Sequence, residues 1–216
     1  NMAGLHNTAF KNTMVYLWDS YNVKVQNLQG FNAAGQKAGS NGTSGYMLRI
    51  TNCSDVYVED CRMQGYWGAT AMDSVKNIHF RRCHMNRLDI HDYFSHLHAH
   101  ECTFYNHNIQ IGYGRGVAKF TDCNWYWNDI PNDSYPNSHM VELNASYGRV
   151  FEGTIYLSNC RVWTKNPPDG EFNIFVLECS PDATSITKHF KFPEVIVKDV
   201  QIYSDNPNIY LAYFKI

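Results

Sequence analysis

The sequence predicts an all-β protein, a right-handed parallel β-helix (solenoid) of about seven coils. Three observations predict it: a strand motif that recurs seven times, a second alternating strand before each copy, and a near-constant spacing between the best copies. Repeats of about 20 residues or more are the sequence signature of solenoids, in which each repeat buries its apolar face against its neighbours.

The recurring motif is apolar, polar, apolar, two polar residues, and then Cys or an aliphatic residue. Alternation with a period of two indicates a strand with one face inward, and the two polar residues indicate a bend. The copies are VKVQNLQ from Val23, VYVEDCRM from Val56, IHFRRCHM from Ile78, LHAHECTF from Leu97, AKFTDCNW from Ala118, IYLSNCRV from Ile155 and VIVKDVQI from Val195.

A second alternating strand precedes each copy of the motif. These strands are MVYLW from Met14, MLRIT from Met47, TAMD from Thr70, LDIH from Leu88, IQIG from Ile109, MVELN from Met140 and IFVLE from Ile174. The longer gaps at 31–46, 126–139, 163–173 and 180–192 are rich in Gly, Pro, Asn or Ser, and we interpret them as loops. A β-sandwich also has many short strands, but it would not repeat one inward Cys at the same motif position.

Five cysteines hold that inward position: Cys61, Cys83, Cys102, Cys123 and Cys160. In a β-helix they would stack about 4.8 Å apart as an internal ladder of free thiols, each acting as a small hydrophobe. Leu28 and Val200 fill the same position in the end copies, which favours a packing role. Disulfides between neighbours and metal binding are the alternatives. Buried thiols predict folding in a reducing cytoplasm.

Composition excludes two classes of partner. The chain carries 18 Lys and Arg against 20 Asp and Glu, mixed along its length, so the basic stripe of a nucleic-acid-binding protein is missing. A run of about 18 apolar residues, which membrane insertion requires, is also missing. The chain begins with Asn1, and we interpret residues 1–216 as a single β-helix domain taken from a longer protein.

The outward face of the preceding strands carries the chemistry of a sugar-binding groove, with rings for stacking and polar groups for hydroxyls and carboxylates. The predicted substrate-binding residues on these strands are Tyr16, Trp18, Arg49, Gln110 and Glu142, and the loops are expected to add Trp67 and Trp127. A plain solvated face is the alternative.

The candidate catalytic residues are Asp73, Asp89 and His91. Asp73 and His91 are expected in one column of adjacent coils, with Asp89 one column over, about 8 Å from Asp73 along the backbone diagonal. Carboxylates at about 6.5–9.5 Å suit an inverting glycosidase. The rival chemistry is β-elimination with His91 as base and Arg49 neutralising a uronate. A one-residue slip would turn Asp89 inward and replace it with Asp92.

The sequence predicts no metal site and no cofactor. His96, His98 and His100 alternate and should all point outward, but three such residues span about 13 Å, too far for one ion.

The repeat that contains NCSDVYVEDCRM and KNIHFRRCHM resembles the β-helical bodies of bacteriophage tailspikes and the wider pectate-lyase-like superfamily. The resemblance is at the level of fold, covers nearly the whole chain and transfers no catalytic residue. It implies a homotrimer in the virion tail, made in bacterial cytoplasm, that binds and depolymerises a bacterial surface polysaccharide as a hydrolase or a lyase. The alternatives are a non-catalytic receptor-binding or structural β-helix, and a secreted protein.

Overall fold

In the computed structural model, we describe residues 14–30, 46–91, 93–105, 107–127, 139–144, 150–164, 172–178, 192–205 and 208–215. Every regular element in these ranges is a β-strand, and the strands pair in parallel. Within the same ranges, no helix is long and apolar enough to cross a bilayer.

The strands form three rows. The first row contains β1(Val15–Trp18), β4(Leu48–Thr51), the second half of β6(Arg62–Met72), the second half of β8(His84–Ile90), β11(Ile109–Ile111), β14(His139–Asn144), β17(Phe172–Glu178) and β20(Ile209–Lys215). The second row contains β2(Tyr21–Gln26), β5(Ser54–Glu59), β7(Lys76–Arg81), β9(Phe94–His100), β12(Gly114–Thr121), β15(Phe151–Ser158) and β18(Glu194–Lys198). The third row contains β3(Gln29–Gly30), the first halves of β6 and β8, β10(Thr103–Tyr105), β13(Asn124–Trp127), β16(Arg161–Thr164) and β19(Gln201–Ser204).

The chain visits the rows in a fixed order, first, second and third, and then returns to the first. This order and the parallel pairing are consistent with a parallel β-solenoid. β6 and β8 run unbroken from the third row into the first, so these two rows share one 13-stranded sheet and the second row is a separate 7-stranded sheet. The first row contains the preceding strands of the repeat, and the second row contains the recurring motif itself.

A corner in β6 sets the register of its second half. The pairing of β6 with β8 shifts between Met63 and Gly68. Gly68 has a φ of +106°, and a Cβ there would lie 2.0 Å from the backbone oxygen of Arg87. Only glycine fits such a conformation and such an approach, so residue 68 turns the strand from the third row into the first.

The bend expected before the cysteine position is confirmed. In all seven copies the residue before that position has a φ between 51° and 56°, in the left-handed region. These residues are Asn27, Asp60, Arg82, Glu101, Asp122, Asn159 and Asp199. Asn and Asp tolerate this conformation better than other non-glycine residues, which explains why they hold five of the seven places.

The cysteine ladder is present in the described chain. The residue after each of the last four ladder cysteines donates its N–H to the carbonyl of the ladder cysteine in the preceding repeat, as His84 does to Cys61 at 2.8 Å and Arg161 to Cys123 at 2.9 Å. All five ladder cysteines are buried, and the six cysteines described form no disulfide. A hydrogen bond with Cys102 raises the pKa of Cys83 to about 12, which keeps the thiol protonated. Cys179 lies outside the described residues.

The predicted direction of two residues in β6 is wrong. The alternation in TAMD from Thr70 predicts that Ala71 points outward and Met72 inward. In the structure, Ala71 pairs with Ile50 and Ile90 in the core, and Met72 pairs with Thr51 on the outer side. The pairing offset between β6 and β8 changes by three residues between Met63 and Gly68, and a shift by an odd number of residues exchanges the faces of a strand.

Two predicted loops are shorter than expected. β13 continues through Tyr126 and Trp127, and β16 continues through Trp163 and Thr164, because these residues pair with each other as neighbouring strands of the third row. The remaining parts of the predicted loops, at 31–45, 128–138, 165–171 and 180–191, lie outside the described residues.

Candidate functional site

One column on the outer side of the first row is polar yet largely removed from solvent. The parallel register places Arg49, Thr70, Asp89, Gln110 and Glu142 side by side on five successive strands, and we call this column the polar row. Thr70, Asp89, Gln110 and Glu142 are buried, and Arg49 is half-buried. Each polar residue of this row lies between two core residues on its strand, so Arg49, Asp89, Gln110 and Glu142 are on the side opposite the core, in the direction that the alternation predicts. Buried polar groups need hydrogen-bond partners, and buried titratable groups cluster at functional sites, so this column is the candidate functional site.

Asp89 is at the centre of a hydrogen-bonded cluster. The carboxylate accepts a bond from Arg87 Nε at 2.5 Å and another from the Tyr46 hydroxyl. His91 Nε2 lies 3.5 Å from Asp89 Oδ2 and 3.4 Å from the Tyr46 oxygen. Arg87 reaches on to donate to the side-chain oxygen of Gln110. Asp89 itself is 0% exposed, so these neighbours determine its charge.

The cluster keeps Asp89 ionised. Burial raises the pKa of Asp89, but the hydrogen bond with His91 and the charge of Arg87 lower it more, so the pKa is below its usual value. For Arg87, burial lowers the pKa, and the charge of Asp89 more than offsets it, so the guanidinium stays protonated. Asp89 can therefore accept or orient a proton but cannot act as the proton donor.

A second carboxylate cluster lies two strands further along the polar row. Asn108 Nδ2 donates to Glu142 Oε2 at 2.5 Å and lies 3.0 Å from His139 Nε2. His139 Nε2 is 3.5 Å from the same carboxylate oxygen. Both carboxylates of the polar row thus contact an imidazole. Two strand spacings separate Asp89 from Glu142, which is about 9.6 Å at the backbone.

The structure brings His91 and Asp89 together but leaves Asp73 apart from them. Asp73 follows the end of β6, in an exposed bend with a φ of 58°. The expected column of Asp73 with His91 is wrong, because Ala71 pairs with Ile90 and this register places Met72 beside His91. The cause is the register shift at the corner of β6. The catalytic roles of Asp89 and His91 stay predictions, and the position of Asp73 in a bend outside the cluster removes the geometric basis for its role.

Two of the four predicted aromatic binding residues present exposed rings. Tyr16 and Trp18 are 48% and 63% exposed, with ring centroids 6.1 Å apart and planes inclined by 13°. Trp127 was expected in a loop over the groove and is instead 4% exposed, in the core at the end of β13. It faces inward because it lies two residues from the buried Trp125 on the same strand. Trp67 lies in β6, and its side chain is outside the described part of the structure.

Sequence reasoning missed Tyr46, Arg87, Asn108 and His139. Arg87 had a usable signal, since it is two residues before Asp89 and so lies on the same face of the strand. Tyr46 had none, because its contact with Asp89 spans 43 positions in the sequence.

The third row carries a stack of four outward rings that does not form a sugar platform. Tyr105, Tyr126, Trp163 and Tyr203 stack with centroids 5.6, 4.6 and 5.4 Å apart and planes inclined by at most 18°. The faces between successive rings are covered, so Tyr126 and Trp163 offer only their edges, whereas a sugar stacks on a ring face.

The histidines of β9 point outward as predicted, since Leu97 and Ala99 between them are buried. Among the described residues, no group of three or more His, Cys, Asp or Glu side chains is arranged to hold a metal ion.

Comparisons with protein-family models, with curated proteins and with solved structures all found nothing similar to this chain. A fold alone does not determine function, so a functional assignment depends on the polar row and the side chains that contact it.

Proposed function

We propose that this chain is a right-handed β-helix of about seven coils that binds a bacterial surface polysaccharide and cleaves it, in the manner of a phage tailspike. Three features of the first row support this proposal: the exposed rings of Tyr16 and Trp18, the half-buried Arg49, and the two carboxylate clusters. All of them lie along one face, on which an extended polymer would contact successive strands.

The observation that carries the proposal is the pairing of each polar-row carboxylate with an imidazole. Asp89 is fully buried, whereas the His91 side chain is 21% exposed, so a substrate would meet His91 rather than the carboxylate. Asp89 then orients the His91 ring, as a buried carboxylate does for a catalytic histidine.

The proposed chemistry divides the two proton transfers between the clusters. His91 removes a proton from the attacking water while the water oxygen bonds to the anomeric carbon. Glu142, the second carboxylate of the row, gives a proton to the oxygen that leaves as the glycosidic bond breaks. In the rival elimination, His91 removes a carbon-bound proton, and the electron pair of that bond forms a carbon–carbon double bond as the bond to the leaving oxygen breaks. Glu142 gives that oxygen a proton, and the product is an unsaturated sugar. Neither route requires a metal ion or a cofactor.

A non-catalytic binding protein is the second candidate, and the burial of Asp89 favours it. A fully buried carboxylate locked to Arg87 is also what a structural ion pair looks like. In this case the first row binds polysaccharide and the clusters only hold β8 in place.

We extend the proposal to assembly and location, with a homotrimer in the virion tail that folds in bacterial cytoplasm. The buried free thiols support folding in a reducing compartment.

Oligosaccharide release from host envelope polysaccharide tests the proposal. The parent protein should release fragments, and His91→Ala and Glu142→Gln should each slow release by at least about a hundredfold. Asp73→Asn serves as the matched carboxylate control and should cleave at the parental rate. Ultraviolet absorbance of an unsaturated product would assign elimination instead of hydrolysis. Binding without release by the parent protein would support the second candidate and overturn the first.

A further inference from the structure

Arg49 is the one half-buried arginine of the described chain that has no carboxylate partner. The other two are Arg82, which is 2.7 Å from Asp60, and Arg87, which is 2.5 Å from Asp89. Arg49 Nη2 donates a hydrogen bond only to the sulfur of Met72, at 2.9 Å, and Nε is buried without a hydrogen-bond partner. A thioether is a weak acceptor, so the guanidinium charge is not balanced within the described structure.

Two hydroxyl groups beside Arg49 also lack partners. Thr70 is the neighbour of Arg49 on the next strand, and Thr51 is two residues along β4 on the same face. Both threonines are buried, and neither Oγ1 has a hydrogen-bond partner in the described part of the chain. Buried polar atoms are normally satisfied, and three unsatisfied ones together indicate a ligand that completes them.

The exposed rings define the other side of the same place. Tyr16 pairs with Arg49 and Trp18 with Thr51 across β1 and β4. The Arg49 guanidinium lies 5.1 Å from the centre of the Tyr16 ring. This contact stabilises the cation and fixes the plane of its fork, but it supplies no acceptor for its N–H groups.

From this arrangement we propose that the polysaccharide is acidic, and that Arg49 binds the carboxylate of one of its sugars. A planar guanidinium binds a carboxylate through two parallel hydrogen bonds, and the threonine hydroxyls add donors to the same anion. The rings of Tyr16 and Trp18 stack on the apolar faces of the sugars on either side. This inference rests on the proposed function, because it names the class of polysaccharide that the first row takes.

The test is binding to an array of acidic bacterial polysaccharides, each printed beside its carboxyl-reduced, neutral derivative. The parent protein should bind at least one acidic polymer and should bind its reduced form at least about tenfold more weakly. Arg49→Met should lose the same factor for the acidic polymer. Arg49→Lys, which keeps the charge but not the planar fork, should recover only part of it.

Two controls separate this site from a general effect of charge or folding. Arg161→Met removes an exposed arginine on the third row and should leave binding unchanged. Thr70→Val, which removes a hydroxyl without changing the shape of the side chain, should weaken binding while leaving the thermal midpoint within a few degrees of the parent's.

The outcomes distinguish the inference from the proposed function. Equal binding of acidic and reduced polymers, or full binding by Arg49→Met, overturns the acidic assignment and leaves polysaccharide binding intact. Binding to no polymer on the array overturns both.

Discussion

Arg87 and Asp89 form a buried ion pair within a single strand, two residues apart, with Nε 2.5 Å from Oδ1. Each side chain has further polar neighbours, Gln110 for the arginine and Tyr46 with His91 for the aspartate. The pair therefore links β8 with β11 and with the segment just before β4, and its charges are largely removed from water. The cost of disturbing it depends on which partner is lost.

Removing only the arginine should be severely destabilising. Arg87→Met leaves the Asp89 carboxylate buried without its cation and is expected to reduce the free energy of unfolding by about 3–5 kcal/mol. The measurement is chemical denaturation followed by circular dichroism. Arg82→Met breaks a more exposed pair with Asp60 and should cost much less. Equal losses in the two variants would contradict the burial of the Asp89 cluster.

Glycine should relieve the backbone strain in the bend at Glu101, which alanine cannot do. Glu101 has a φ of 54° and makes only long ion contacts, 3.9 Å to Arg81 and 3.8 Å to His100. Glu101→Gly should raise the free energy of unfolding by about 1 kcal/mol relative to Glu101→Ala, because both lose the carboxylate but only glycine fits the left-handed conformation. An alanine variant as stable as the glycine variant would contradict the bend geometry.

The cysteine ladder should be present as thiols in solution. Thiol titration of denatured, unreduced protein should find nearly all seven cysteines free, whereas the native protein should react slowly because the described six are buried. Two or fewer free thiols would overturn the ladder. Cys102→Ala should cost about 1–2 kcal/mol through the cavity it leaves beside Cys83 and Cys123.

The second row should lose stability in mild acid. His79 and His98 lie on neighbouring strands with ring centroids 5.1 Å apart. Burial lowers the pKa of both, and the charge of Lys119 adds to this for His98, while Asp55 partly opposes it for His79. A histidine with a lowered folded-state pKa binds its proton more readily when unfolded, so stability falls as the pH falls below the unfolded value of about 6.5.

The test is to measure the free energy of unfolding between about pH 7.5 and 5.5, a range in which the histidines are the only residues of this group that change charge. The double variant His79→Gln with His98→Gln should show a flatter dependence than the parent. A parental slope in the double variant would contradict the assignment.

Local patterns predicted much of the fold. The alternation in VYVEDCRM indicates which residues face inward, and the polar pair before Cys61 indicates the bend that the φ of Asp60 confirms. The repeat of both signals places the cysteines in one column. These features depend on residues within a few positions of each other, because the side-chain period of a strand and the left-handed preference of Asn and Asp are local properties.

The candidate site depended on the tertiary structure. The residues TAMD from Thr70 alternate in either register, and only the corner at Gly68, where the backbone passes Arg87, decides that Ala71 is inward and that Asp73 lies in a bend. In the same way, the sequence determined that Asp89 lies on a strand face. Its burial, its ionised state and its contacts with Tyr46 and His91 came from strands that only folding brings side by side, because the register between repeats is set by packing across the sheet rather than by the order of neighbouring residues.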